Sequence, residues 1–332
     1  MESWIGSQIT GEALMLPDTQ PNIGILPKLL LLGSAVLLLL IHVFEPNVVG
    51  LWAQVLYNSL HVPVFGFIAL SIYVATTARE RWDFRKRALI TFAAVFALSI
   101  LSEAAQIPGP RDASLQDLVS DWLGATAALL FALAFDSGGE IKRRNKIAAA
   151  IAGTAILIFA LSSLIVVSAA YAERSHQHPV LVSFSARFGH YFRRMQNASL
   201  VVLRDEKYGQ LSGQITLNEG AWPGIIFHDI WPDWRDYSAL LVEFHLDGDK
   251  PLDVNIRIHD QDHRLGEQPY DDRFNKAIRL LPGHNTLLIP LEEIRDAPAK
   301  RKMDLSQIHE IIIFGTRNEA GRAFQILEIR LQ

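Results

Sequence analysis

Asp117-Leu-Val-Ser-Asp121-Trp-Leu-Gly-Ala-Thr-Ala-Ala-Leu-Leu-Phe-Ala-Leu-Ala-Phe135 sets two carboxylates one helical turn apart at the head of an apolar run. Residues three or four apart share a helix face, so Asp117 and Asp121 point the same way. An apolar window of about 20 residues is long enough to span hydrocarbon. Ionisable groups at such depth are costly and face a partner or a polar cavity. Upstream, the segment from Asn58 adds His61, Glu103, Gln106 and Arg111, and Glu103 shares a helix face with Gln106. The stiff stretch Ile107-Pro-Gly-Pro-Arg-Asp112 is expected to hold Arg111 over this cluster.

Working outward, five windows are expected to be transmembrane spans: about 25–44, 60–78, 88–106, 118–135 and 148–171. Pro63 and Gly66 make the second the weakest. The basic loops Arg79, Arg81, Arg85, Lys86, Arg87 and Lys142, Arg143, Arg144, Lys146 mark the cytoplasmic side. That places the N-terminus inside, everything after about residue 171 outside, and the polar cluster at the outer interface. The first span follows an acidic leader and precedes Glu45-Pro-Asn47 rather than a small-residue cleavage site, so it is expected to remain as an anchor.

The chain has 332 residues, 50% of them hydrophobic, with a formal charge of −4, which suits a two-domain membrane protein. The expected layout is a leader 1–24, a transmembrane domain 25–171, a linker 172–198 and an extracytoplasmic domain 199–332. The linker contains a basic, aromatic stretch, Pro179 to Arg194, suited to the membrane surface or to packing on the outer domain. The lack of cysteine excludes disulfides, thiolate metal sites and cysteine nucleophiles.

From about Leu200 the pattern changes to short strings with period-two alternation. They are Leu200–Leu203, Gly213–Leu217, Gly224–Phe227, Ala239–Phe244, Leu252–Ile258, Ala277–Leu281, Thr286–Ile289, Ile311–Phe314 and Phe324–Leu331. Turn residues such as Asp247-Gly-Asp249 and Pro282-Gly-His-Asn285 separate them. These features predict an antiparallel β-sandwich of jelly-roll type with eight or nine strands. The fold class is therefore multi-domain: an all-α transmembrane bundle followed by an all-β sandwich.

The combination His61-Val-Pro-Val-Phe-Gly66, Ser102-Glu-Ala-Ala-Gln106 and Arg111-Asp-Ala-Ser-Leu-Gln-Asp117-Leu-Val-Ser-Asp121-Trp-Leu-Gly124 resembles the VanZ-like membrane family over residues 25–135. Asp121 departs from the Asn common in that family. The resemblance implies a bacterial cell-envelope protein from a family associated with glycopeptide (teicoplanin) resistance, and implies no reaction. Trp234-Arg-Asp-Tyr237, Asn255-Ile-Arg-Ile-His-Asp260, Tyr270-Asp-Asp-Arg-Phe274, Pro282-Gly-His-Asn285, Ile289-Pro-Leu291 and Ile311-Ile-Ile-Phe-Gly315 resemble galactose-binding-like and carbohydrate-binding-module sandwiches.

The polar cluster leaves several roles open. Glu103, His61, Asp117 and Asp121 are acid–base equipment and the catalytic candidates. Arg111, with Gln106, suits the oxyanion of a headgroup or lipid-linked precursor. The same groups can instead act as structural ion pairs and interhelical hydrogen bonds. The ligand types would permit a metal, but no tight motif enforces coordination, so no metal or cofactor is assigned. In the outer domain Trp222, Trp231, Trp234, Tyr270, Asp271, Asp272 and Arg273 are candidates for stacking on sugars and pairing with their hydroxyls, with core packing the alternative for the aromatics. Asp271 and Asp272 are adjacent and point to opposite faces of a strand, which does not make a glycosidase pair. No nucleophile triad, metal-binding His pair or phosphate loop stands out, and the slightly acidic chain argues against nucleic acid. The expected function is binding of an envelope glycan or glycolipid. The alternatives are a membrane-embedded enzyme acting on a lipid-linked precursor and a scaffold for another envelope protein. Membrane lipids are expected partners.

Overall fold

The computed structural model describes residues 24–43, 50–77, 82–106, 114–136, 141–204 and 211–332. It divides into two units, one of residues 1–47 and 57–161, the other of 48–56 and 162–332.

The helical elements are α1 (Ile25–Val43), α2 (Leu51–Ser59), α3 (His61–Thr76), α4 (Phe84–Gln106), α5 (Leu115–Ala134), α6 (Arg143–Ala160) and α7 (Ser162–Gln177). Among the described residues, three helices are long and apolar enough to cross a membrane: Leu51–Thr76, Phe84–Ala105 and Leu115–Ala134. The expected five spans are thus supported as three, or four if the bent pair α6 and α7 counts as one. The 148–171 window is apolar throughout, but the helix breaks at Leu161, which composition does not reveal. The first window forms an apolar helix, Ile25–Ile41, shorter than the other three. Pro63 lies in the first turn of α3, where its missing N–H costs little, so the second window stays helical.

In the first unit α3 packs against α5 through its backbone. A Cβ on Gly124 would lie 2.2 Å from the Val62 carbonyl oxygen, and one on Gly66 would lie 3.3 Å from the Gly124 oxygen. Phe65, Ile68, Ala69, Val95, Ala125 and Ala128 form the buried cluster beside this contact.

The second unit carries two antiparallel sheets. One joins β1 (Val180–Ser183), β3 (Ala198–Arg204), β4 (Leu211–Leu217), β6 (Ala239–Leu246), β9 (Gly283–Pro290) and β11 (Ala323–Leu331) in the order β3-β4-β11-β6-β9, with β1 also on β11. The other orders β2 (Arg193–Gln196), β5 (Gly224–His228), β10 (Ile308–Phe314), β7 (Leu252–Asp260) and β8 (Phe274–Leu280) as β2-β5-β10-β7-β8. Each of the nine expected strings falls on a strand. The difference lies in 172–198, expected as a linker: it supplies β1 and β2, one to each sheet.

Alternation makes the core. Val254, Ile256 and Ile258 of β7, Ile311 and Ile313 of β10, and Ile225 and Phe227 of β5 face Phe244, Phe324, Ile326 and Ile329 of the other sheet. Trp234 is fully buried among them, its indole N–H donating to the Trp231 carbonyl at 2.7 Å.

Since a side chain at 124 must displace the α3 backbone, Gly124→Ala is expected to destabilise the helical unit by about 1–3 kcal/mol. Thermal unfolding of the detergent-solubilised chain measures this, and an unchanged midpoint would show that the two helices can part at no cost.

Candidate functional site

Ser114 starts α5 in an extended conformation and caps it, accepting from the backbone N–H groups of Gln116 at 3.2 Å and Asp117 at 3.4 Å. Its own N–H donates to Glu103 Oε2 at 2.8 Å, which ties the end of α4 to the start of α5. One turn further along α5, Asp121 accepts from Ser99 Oγ of α4 at 2.6 Å and meets His61 Nδ1 of α3 at 2.9 Å. A carboxylate only accepts, so the facing Nδ1 carries the hydrogen. The opposite nitrogen, Nε2, stands 4.0 Å from Asp117 Oδ2.

His61, Glu103, Asp117 and Asp121 are all buried, and His61 stacks parallel to Phe65. The structure thus brings the four catalytic candidates together and adds Ser99. His61 Nε2 and Glu103 Oε1 have no hydrogen-bond partner. Arg111 and its loop lie outside the described residues, as does the side chain of Gln106. Among the described residues no group of three or more His, Cys, Asp or Glu is arranged to hold a metal ion.

The second candidate surface is the outer face of the five-stranded sheet. Strand register aligns Arg194, Ile226, Ile312, Arg257 and Asn275 in one row, and Gln196, Gly224, Phe314, Asn255 and Ala277 in the next. A third row carries His228, Glu310 and His259. Trp222 stands beside Phe314, edge to face at 5.7 Å and 59% exposed. Its backbone holds φ +53, a left-handed conformation costly for a non-glycine residue. Tyr270 is 73% exposed, with the Arg273 guanidinium 5.0 Å from its ring centroid. The Nε groups of Arg257 and Arg273 are buried without partners. Burial, and then the neighbouring Arg273, lower the proton affinity of Arg257.

Several of the sequence-derived candidates stand elsewhere. Trp234 is a core residue, removed from any ligand by complete burial. Trp231 is half-buried against the core and the His178 ring at 4.4 Å. Asp272 is occupied by Arg301, whose Nε and Nη2 reach its two oxygens at 2.6 and 2.9 Å, while Nη1 and Nη2 reach Asp260 at 2.5 and 2.8 Å. These charge-assisted bonds hold the Asp272 carboxyl below its usual range. Burial alone would raise Asp260, and the bonds from Arg301 and from the Asp304 and His263 N–H groups more than reverse it. Asp271 is exposed, and its carbonyl accepts from Ala299 N–H at 2.9 Å. Asn255, Arg257, Asn275, Glu310 and Phe314 are absent from the sequence-derived set. The alternation of β7 was their available signal, since it puts Asn255 and Arg257 opposite Val254 and Ile256.

No family model matches the chain and no curated protein matches it, so the VanZ-like resemblance stands on its motif residues. Among solved structures the chain is similar to an exo-β-agarase, at 15% identity and a TM-score of 0.37, over 46% of this chain and 24% of that one. It is also similar to the family 11 carbohydrate-binding module of a cellulosomal cellulase of Clostridium thermocellum, at 14% identity and a TM-score of 0.35, over 46% of this chain and 92% of that one. A module of the same family was solved with a mixed-linked tetrasaccharide; it is similar at 12% identity with a TM-score of 0.34, over 42% of this chain and 86% of that one. The chain therefore spans about a quarter of the agarase. At such TM-scores the likeness carries no argument about binding, which rests on the outer face itself.

His259, at the edge of that face, is 3% exposed and touches the rings of His263 and His309. Burial, then the charges of His263, Arg257 and His309, push it down to about 3 from 6.5. Between those values the unfolded chain binds a proton that the folded chain refuses, so the stabilisation is whole above about pH 6.5 and is lost as pH falls. Denaturant unfolding should show a loss on the order of 2 kcal/mol between about pH 7 and pH 5. His259→Gln should flatten this slope; an equally steep slope in the variant assigns the effect to other groups.

Proposed function

We propose that this is a membrane-associated glycan-binding protein, with the outer face of the five-stranded sheet as its binding surface. The observation that carries the proposal is the pair of partnerless guanidinium N–H groups, Arg257 and Arg273, on a face flanked by exposed Trp222 and Tyr270. A sugar presents hydroxyls around its rim and apolar C–H patches on its ring faces. Asn255, Asn275, Arg257 and Arg273 supply donors, Glu310 supplies an acceptor, and Trp222 and Tyr270 supply flat apolar surfaces. The three apolar helices support attachment to a membrane. The basic residues Arg85, Lys86 and Arg87 in the first turn of α4, with Lys142, Arg143, Arg144 and Lys146 at α6, support a cytoplasmic position for those ends. On that orientation the sandwich faces outward, and its ligand is a glycan or glycolipid of the cell envelope.

Titration of the detergent-solubilised full chain with envelope polysaccharides tests the proposal, with tryptophan fluorescence as the signal. A saturable change is expected. Trp222→Ala and Arg257→Ala should each weaken binding by about tenfold or more, the equivalent of one charged hydrogen bond or stacking contact. Absence of any saturable glycan, or full affinity in both variants, refutes it.

A further inference from the structure

The buried cluster of α3, α4 and α5 has two levels. At the inner level Ser99, Asp121 and His61 Nδ1 satisfy one another. One turn outward, about 6 Å along the helices, lie Glu103 and Asp117, with His61 Nε2 turned toward the latter at 4.0 Å. Here two acceptors are left over. Glu103 Oε2 takes the Ser114 N–H, but Oε1 has no partner. With the imidazole neutral and its hydrogen directed at Asp121, the partnerless Nε2 offers a lone pair. Both residues are at least nine-tenths buried, at 5% and 0% exposure. Two buried acceptors require a donor, which excludes an anion. Glu103 is a carboxylate with one oxygen unpartnered, which further favours a donor that is positively charged.

We infer that this outer level binds a primary ammonium group carried by a membrane lipid. An ammonium has three N–H donors and no acceptor, so it can serve Nε2 and Oε1 together and keep a third donor for water or a lipid oxygen. A lipid is the source because the site lies at the ends of apolar helices, Glu103 in the last turn of α4 and Asp117 in the first turn of α5, where headgroups sit. Leu101, Leu115 and Val119 on the same turns are exposed at 65%, 81% and 48%, an apolar surface for acyl chains.

The test uses the full chain in nanodiscs of phosphatidylethanolamine or phosphatidylcholine with identical acyl chains, with native mass spectrometry counting retained lipid. The ethanolamine lipid should be retained over the choline lipid by about tenfold or more, with stepwise loss as the amine is N-methylated. Methylation keeps the charge and removes donors, so it isolates the hydrogen bonds. Glu103→Gln keeps an oxygen for the Ser114 N–H and should abolish the preference without shifting the unfolding midpoint in phosphatidylcholine. Equal retention of the two lipids overturns the inference, as does a preference that survives Glu103→Gln. Displacement of the lipid by free ethanolamine at equal concentration would reassign the site to soluble amines and overturn the lipid source.

Discussion

One carboxylate, that of Asp121, sets the register of the helical unit. It rides on α5 while accepting from Ser99 on α4 and from His61 on α3. Packing of Leu, Ala and Phe against one another tolerates small slides along the helix axis, because the dispersion attraction that one residue gives up is recovered at the next. A buried charge allows no such slide, since losing either donor leaves it unpaired at a cost of several kcal/mol. Gly124 lies three residues along from Asp121, and Val62 adjoins His61, so the hydrogen bond and the closest backbone approach occupy one patch. Neither survives without the other: the glycine lets α3 come near enough for the imidazole to reach, and the ion–imidazole contact keeps the backbones at that distance.

The sandwich is held by a different constraint, the alternation of its strands, which leaves the outer face free for polar chemistry. A strongly charged fixture stands at the end of β7. Arg301 binds Asp260 and Asp272 with both arms of its guanidinium, and Asp260 also receives the Asp304 N–H at 2.8 Å. This removes Asp272 from the ligand-binding candidates and gives it another role. The loop that it anchors carries Tyr270 and Arg273, so the ion pairs fix the backbone from which those exposed groups project. A partly buried charge network here sets position, the use for which such networks are best suited.

Spacing alone made part of this legible. The i, i+4 interval of Asp117 and Asp121 puts both on one face, and the apolar runs place that face inside a bundle. Ser99 carries no such mark, because a serine in an apolar helix usually bonds back to its own helix, as Ser34 and Ser71 do here. A hydropathy window measures composition, so it runs through the break at Leu161. Strands β1 and β2 have four residues each, and the charged Arg193 and Arg194 hide the second. Trp222 and Trp234 look alike in sequence, and what separates them is tertiary: one tops a strand entry at positive φ, while the other finds a carbonyl for its indole N–H inside the core.

The partnerless atoms on which the two candidate sites are argued differ in polarity. In the helical cluster they are His61 Nε2 and Glu103 Oε1, read as acceptors; on the outer sheet face they include two donors, the Nε groups of Arg257 and Arg273. A buried polar atom without a partner costs roughly 1–3 kcal/mol, and a ligand of opposite polarity relieves that cost on binding. A group that satisfies the first pair must donate, and one that satisfies the second must accept. An ammonium fits the former and is repelled by the latter, whereas a sugar hydroxyl or carboxylate oxygen fits the guanidinium pair. The two proposed surfaces therefore suit different chemical groups, a donor at the first and an acceptor at the second.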